Sequence, residues 1–225
     1  VYAEGNTISW ASDGSGFGIR GSVVELHSNT IGPIGGWNGL WIYGTSDVIA
    51  ENNTIQETSK EPVLIGEYHY QDQGWQVPAP SAARLYLANN NIMNNTGTCN
   101  SQMYGGDFPC PAVHVFRSSA TILNNDISGN NGDIIRAKGS LINVQGNTAD
   151  SQGGFAGNVS AHDTNYGDKY GSIAYFSGNT WTGVSQVYNV TESRVTVQSE
   201  QIPSPGNGEL YPVSISWLGA ECPFV

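Results

Sequence analysis

The chain has 225 residues, and its 8 basic and 19 acidic side chains give a formal net charge of −11. Only 12% of its residues are charged, while Gly, Asn, Ser and Thr are abundant, a composition typical of an all-β exported protein. Because phosphate binding needs clustered Lys and Arg, this balance argues against nucleic acid as a partner. The sequence contains no apolar run of 18 residues, so we expect no membrane insertion.

The expected location is extracellular or the cell surface. Four sequons, at Asn52, Asn94, Asn158 and Asn189, fit an exported chain, although an Asn-rich sequence also produces such triplets by chance. Cys99 and Cys110 flank the loop "CNSQMYGGDFPC", and a disulfide between them would close and stiffen it. Three reduced thiols, with Cys222 as the third, are the alternative, and the exported composition favours the disulfide.

One motif recurs eight times along the chain. It appears as "VYAEGNTI", "VELHSNTI", "VIAENNTI", "LYLANNNI", "ATILNNDI", "INVQGNTA", "AYFSGNTW" and "VTVQSEQI". The residues at its centre are Asn6, Asn29, Asn53, Asn90, Asn125, Asn147, Asn179 and Glu200. The residues five and three positions before each centre, and two positions after it, are apolar in every copy. This alternation predicts two short strands with a corner between them at the Asn.

The spacing of the copies predicts a solenoid. Successive centres lie 21 to 37 residues apart, as expected for coils of roughly 22 residues that carry insertions. A third strand is predicted between copies, at "GFGIRG", "GLWIYG", "PVLIG", "AVHVFRS", "DIIRAKG", "GNVSAH", "QVYNV" and "YPVSISW". Three strands per coil predict an all-β, right-handed, single-stranded parallel β-helix of about eight coils, forming one domain over residues 1–225. An Asn at the same corner of each coil can donate to the Asn one coil away, so we also expect an Asn ladder.

The repeat resembles those of the parallel β-helix families, which include pectin and alginate lyases, polygalacturonases and repeat domains of cell-surface proteins. This pectate-lyase-like resemblance covers nearly the whole chain and carries the motif "NNTI" preceded by alternating Val and Ala. It implies the fold. The chain contains none of the lyase or polygalacturonase signatures in order, so the resemblance implies residue types for a site and no aligned catalytic set.

Two regions carry candidate binding residues. An insertion at residues 66–83 holds Tyr68, His69 and Trp75, whose rings suit stacking against sugars or packing on the scaffold. On the third strands, inward Ile19, Ile42, Val115 and Ala137 would turn a row of Arg20, Tyr43, Phe116 and Lys138 outward, beside a row of Trp41, His114 and Arg136. In β-helix lyases such a face holds a neutral base and cations that neutralise a uronate, so His114, Arg136 and Lys138 are the catalytic candidates if the protein is a lyase.

Signals for metals are weaker. The segments "SDGSG" at 12–16 and "HDTNYGD" at 162–168 offer oxygen ligands suited to Ca²⁺ without EF-hand spacing, and the four His residues show no zinc spacing.

Two functions are therefore expected from the sequence. The first is a non-catalytic cell-surface module that presents loops and an aromatic and basic face to carbohydrate or to another surface protein. The second is a polysaccharide lyase or glycoside hydrolase acting on an acidic polysaccharide. Because the first coil begins at an inward Val without a cap, we expect a domain of a longer extracellular protein, or a coil end covered by end-to-end self-association.

Overall fold

The computed structural model describes residues 1–66, 83–99, 108–151, 153–163, 169–203 and 210–218. These residues form 27 strands and no helix. The described part of the chain therefore has no helix long and apolar enough to cross a membrane.

The strands are short and follow one another along the chain. They are β1 (Tyr2–Glu4), β2 (Thr7–Ile8), β3 (Phe17–Arg20), β4 (Val23–His27), β5 (Thr30–Ile31), β6 (Leu40–Tyr43), β7 (Asp47–Glu51), β8 (Thr54–Gln56), β9 (Val63–Ile65), β10 (Arg84–Ala88), β11 (Asn91–Met93), β12 (Thr98–Cys99), β13 (Phe108–Pro109), β14 (Val113–Phe116), β15 (Ser119–Leu123), β16 (Asp126–Asn130), β17 (Ile135–Lys138), β18 (Leu141–Gln145), β19 (Thr148–Ser151), β20 (Phe155–Ser160), β21 (His162–Asp163), β22 (Lys169–Tyr170), β23 (Ile173–Ser177), β24 (Thr180–Thr182), β25 (Gln186–Thr191), β26 (Arg194–Pro203) and β27 (Leu210–Leu218).

Three parallel arrays account for most of these strands. The first array runs in the order β1-β4-β7-β10-β15-β18-β23-β26, and the second runs β2-β5-β8-β11-β16-β19-β24 and ends on β26. A separate seven-stranded sheet, called the third sheet below, runs β3-β6-β9-β14-β17-β20-β25. Strands one repeat apart pair in register, as in Leu26 beside Ala50 and Ala50 beside Leu87. This all-β arrangement of long parallel sheets is compatible with a β-helix.

The apolar positions of the repeat build the core. Burial is described for twenty-three of the twenty-four, and twenty of these are buried, from Val24 to Val197. In the first copy Val1 is 84% exposed, and Ala3 and Ile8 are partly buried and pack against the core, because β1 and β2 lie at the ends of their arrays. The alternation of apolar residues thus predicts which side chains are buried, provided that the strand has a neighbouring strand on each side.

Side-chain hydrogen bonds connect the central residues of the repeat in chain order. The Nδ2 of each Asn donates to the Oδ1 of the next at 2.8 to 3.0 Å, through Asn6, Asn29, Asn53, Asn90, Asn125, Asn147 and Asn179. The same Oδ1 also accepts the backbone N–H of the preceding Asn, as Asn90 does from Asn53 at 2.8 Å. The second Nδ2 hydrogen reaches a carbonyl on the other side, for example from Asn53 to Leu26 at 2.9 Å. Stacking therefore satisfies amides that would each be costly if buried alone.

Two further columns of buried polar residues are hydrogen-bonded from one repeat to the next, as in the Asn ladder, and were not predicted from the sequence. The Ser140 backbone N–H donates to Ser172 Oγ, and the Ser172 N–H donates to Ser193 Oγ, both at 3.0 Å. In the second column, Asn95 accepts from Thr58 Oγ1 at 3.0 Å and donates to Asn130 at 2.9 Å. Both columns satisfy buried polar groups at the other corners of the chain path.

The prediction of an eighth strand in the third sheet is wrong. The segment "YPVSISW" lies in β27, which pairs antiparallel with β26, with Val195 opposite Trp217 and Val197 opposite Ile215. The outer edge of β26 carries backbone N–H and C=O groups that an eighth third-sheet strand would leave unpaired. By folding back along β26, β27 pairs these groups.

The last copy of the repeat has Glu200 in the Asn position. Its Oε1 accepts from the Nδ2 of Asn179 at 2.8 Å, and its Oε2 accepts from Tyr188 Oη at 2.8 Å and from the indole N–H of Trp181. Burial raises the pKa of Glu200 above its usual range, and the hydrogen bonds from Asn179, Tyr188 and Trp181 partly oppose that rise. Burial, together with the nearby Glu200 charge, also raises the pKa of Tyr188.

Candidate functional site on the third sheet

The register of the third sheet follows the sequence prediction. Ile19, Ile42, Val115 and Ala137 are all buried. Arg20 pairs with Tyr43, and Phe116 pairs with Lys138. His114 pairs with Arg136 in the neighbouring row, where Leu64 lies between Trp41 and His114. The candidate residues in the described chain therefore lie on one sheet, in two adjacent rows.

The sheet does not present these residues as one exposed face. His114 is 0% exposed and Phe116 is 7% exposed, whereas Arg20 is exposed and Trp41 and Tyr43 are partly exposed. The candidate residues thus divide into a buried polar group around His114 and an accessible aromatic group around Trp41.

In the buried group, His114 is held by a carboxylate. Its Nδ1 lies 3.2 Å from Oε1 of Glu61, which is 3% exposed, and the other carboxylate oxygen of Glu61 accepts from Asn38 Nδ2 at 3.0 Å. Burial lowers the pKa of His114, although its hydrogen bond to Glu61 acts in the opposite direction. His114 is therefore a buried imidazole whose burial favours the neutral form, and it is inaccessible to a polysaccharide in this conformation.

Arg136 is engaged by a neighbouring acid. Its Nε and Nη2 donate to the same oxygen of Asp133, at 2.9 and 2.7 Å, and its guanidinium lies 4.3 Å from the centre of the Phe108 ring. Asp133 also accepts from Asn158 Nδ2 at 2.9 Å and from the backbone N–H of Phe155 at 3.0 Å. Because Asp133 compensates its charge, Arg136 orders this part of the sheet and does not offer an isolated cation to a ligand.

The accessible group is a stack of three rings. Trp37 and Trp41 have centroids 5.9 Å apart and planes within 14°, and Trp41 and Tyr43 have centroids 4.5 Å apart and planes within 25°. The Arg20 guanidinium lies 5.7 Å from the Tyr43 centroid at the end of the stack. Gly18 is the register partner of Trp41, and a Cβ at Gly18 would meet no atom within 4 Å. The chain thus leaves open space beside the indole; we call Trp37, Trp41, Tyr43 and Arg20 the aromatic platform.

The cysteine loop lies beside the buried group. Cys99 and Cys110 form a disulfide with Cα atoms 4.9 Å apart, and both side chains are buried. The Sγ atoms and a carboxylate oxygen of Glu61 all lie within 4.8 Å of one another. Asp13, in the first predicted Ca²⁺ segment, is not part of this cluster. In the second predicted Ca²⁺ segment, residues 164–168 lie outside the described residues. Tyr68, His69 and Trp75 also lie outside them.

Sequence reasoning missed several residues that shape this region. Trp37, Asn38, Glu61 and Asp133 stand just before third-sheet strands, in segments that carry no repeat motif. The sequence did contain a signal for two of them. Asn38 and Glu61 each stand two residues before a register partner in the third sheet, Asn38 before Leu40 and Glu61 before Val63. They therefore occupy equivalent positions. Extending the alignment of the repeats beyond the Asn motif would have placed them side by side.

Comparisons with known proteins give a likeness of fold to one viral protein and no family. No family model matches the chain, and no curated protein matches it. Among solved structures, the chain is similar to ORF18 of Geobacillus virus E2, with a TM-score of 0.62 and 12% sequence identity. That match covers 93% of this chain and 40% of the viral chain, so this chain spans less than half the length of its structural relative. At this identity the likeness concerns the fold alone.

Proposed function

We propose that the chain is a right-handed parallel β-helix of about eight coils that acts as a non-catalytic extracellular or cell-surface module and binds carbohydrate on the aromatic platform. The in-register parallel arrays and the Asn ladder support the coil architecture. The acidic, charge-poor composition supports the location. The exposed ring stack is the single observation that carries the binding function.

The platform has the chemistry that sugar recognition uses. Pyranose rings present apolar C–H faces that pack on aromatic rings, and a row of rings accommodates successive residues of a glycan. Trp37 is 41% exposed, whereas tryptophan side chains are usually much more buried. Much of its ring is therefore available for contact with a ligand. Arg20, exposed at the end of the row, supplies donors for a hydroxyl or carboxylate of the bound sugar.

A glycan array followed by calorimetry tests the proposal. The array should identify at least one oligosaccharide, and Trp41→Ala should weaken its binding at least about tenfold, because central aromatic anchors usually contribute more than 1.4 kcal/mol. Trp10→Ala is the matched control, since Trp10 is 81% exposed and lies outside the platform. An array with no binder, or equal loss in both variants, would overturn the proposal.

The alternative, a lyase or hydrolase acting on an acidic polysaccharide, has less support from the geometry. It needs His114, Arg136 or Lys138 to reach substrate, whereas His114 is fully buried and Arg136 is paired with Asp133. Mixing the protein with pectate, alginate and glycosaminoglycans distinguishes the two functions. A lyase would release unsaturated uronides that absorb in the ultraviolet, and a binding module would release none.

A further inference from the structure

The cluster of Cys99, Cys110 and Glu61 carries an inference that is independent of the aromatic platform. Its three potential ligand atoms, two sulfurs and a carboxylate oxygen, lie within 4.8 Å of one another. All three side chains are buried, at 4%, 2% and 3% exposure. Two thiolates and a carboxylate are ligands that Zn²⁺ accepts, and burial removes competing water.

Contacts other than the disulfide hold the three residues together. The antiparallel pair β12-β13 places Cys99 opposite Phe108, and the backbone N–H of Cys110 donates to the Gly97 carbonyl at 3.0 Å. A Cβ at Gly97 would lie 2.4 Å from the Ser59 carbonyl oxygen, so this segment packs directly on the backbone that leads to Glu61. Lys60 Nζ also donates to the Thr98 carbonyl at 2.8 Å.

The Glu61 carboxylate is oriented as well. His114 Nδ1 lies 3.2 Å from one of its oxygens, and Asn38 Nδ2 donates to the other at 3.0 Å. Partners of this kind commonly fix the ligands of a metal and contribute tenfold or more to its affinity. The positions of Cys99, Cys110 and Glu61 are therefore set by backbone pairing and by side chains that persist when the disulfide is opened.

We propose that reduction of the Cys99–Cys110 disulfide converts this cluster into a Zn²⁺ site with the two thiolates and Glu61 as ligands. A dithiol reductant supplies two electrons and two protons, which break the S–S bond and leave two thiols, while the dithiol becomes a disulfide. Zn²⁺ then displaces the two thiol protons and forms two Zn–S bonds and one Zn–O bond. The sulfur atoms separate to roughly 3.8 Å, the spacing that tetrahedral Zn–S bonds require. The redox state thus determines whether Cys99 and Cys110 are joined by a disulfide bond or by a shared Zn²⁺ ion.

Cobalt titration tests this site on the full chain. The parent carries Cys222→Ser, so that Cys99 and Cys110 are its remaining cysteines. It is reduced with a dithiol, desalted without oxygen and titrated with Co²⁺, whose thiolate charge-transfer band reports the ligands. The reduced chain should bind one equivalent of Co²⁺, Zn²⁺ should abolish the band, and the oxidised chain should show none.

Variants distinguish the loss of a metal ligand from the loss of the folded structure. Glu61→Gln should weaken Co²⁺ binding at least tenfold, and Cys99→Ser with Cys110→Ser should remove it. Glu57→Gln, which changes an exposed carboxylate four residues away, should bind as the parent does. Circular dichroism establishes that each chain is folded, and the comparison of reduced with oxidised parent needs no variant. The proposal is overturned if the reduced parent gives no thiolate band, if the oxidised parent binds equally, or if folded Glu61→Gln retains full affinity.

Discussion

Asn53 donates through its Nδ2 to the Oδ1 of Asn90, 3.0 Å away, although the two residues are 37 positions apart in the chain. The backbone N–H of Asn53 donates to the same oxygen at 2.8 Å. This pair links two repeats across the insertion that carries residues 67–82. The contact therefore sets the register of the parallel strands independently of the length of the loop between them.

The ladder should be a major source of stability. Asn90→Ala leaves two buried N–H groups of Asn53 without their acceptor, and each unsatisfied group costs about 1–3 kcal/mol. We expect the free energy of unfolding to fall by about 2–5 kcal/mol in urea denaturation. Asn143→Ala, on the outward face of β18, is the control and should change it by less than about 0.5 kcal/mol. Equal effects at both positions would contradict a structural role for the ladder.

Glu200 should make stability depend on pH in the acidic range. Because burial raises its pKa in the folded state, its contribution is fully present below the unfolded value and is lost as the pH rises through the folded pKa. The stability of the parent relative to Glu200→Gln should therefore decrease from pH 4 towards neutrality. Urea denaturation of both chains at several pH values measures this difference. A difference that grows with pH would show that the hydrogen bonds to the carboxylate outweigh its burial.

His114 should have the opposite dependence. Burial lowers its pKa in the fold, so its contribution is present above the unfolded value of about 6.5 and is lost as the pH falls. One proton taken up only by the unfolded chain gives a slope of about 1.4 kcal/mol per pH unit. His114→Gln should remove this slope between pH 5 and 6.5, whereas the parent should show it. An unchanged slope in the variant would place the titrating group elsewhere.

One core layer pairs a small residue with a large one. Ala149 is the register partner of Trp181, and both are buried, with the indole packed edge-on to Phe176 at a centroid distance of 6.4 Å. Trp181→Ala should lower the free energy of unfolding by about 3–5 kcal/mol. Ala149→Leu should cost about 1–3 kcal/mol by overpacking. The double variant should lose less than the sum of the two, which a mutant cycle measures; strict additivity would mean that the two side chains do not share the space.

The sequence predicts those parts of this molecule that repeat. The fixed distances between the apolar residues and Asn53 or its equivalents carry the strand positions, the core and the ladder. The same register places Ala149 beside Trp181, since the two residues hold the same position in successive copies of the motif. The repeat could not predict the antiparallel course of β27, since an unpaired strand edge accepts a strand in either direction.

The candidate site was predictable in position and not in exposure. Periodicity placed His114 beside Arg136 and Arg20 beside Tyr43, as the register has them. His114 lies against the Glu61 carboxylate, and Glu61 stands before β9 in a segment that carries no Asn motif. Whether an outward side chain meets solvent is decided by such segments, so a pattern of alternation cannot report it.

The amides of the Asn ladder all face the same way along the stack, because each Asn donates to the copy that follows it. Their dipoles consequently add, and the final position receives hydrogen bonds without having to pass one on. An amide there would carry one N–H group with no further Asn to accept it, whereas the carboxylate of Glu200 has only acceptors. The exchange of Asn for Glu in the last copy therefore gives the row a direction and a chemically suitable terminus.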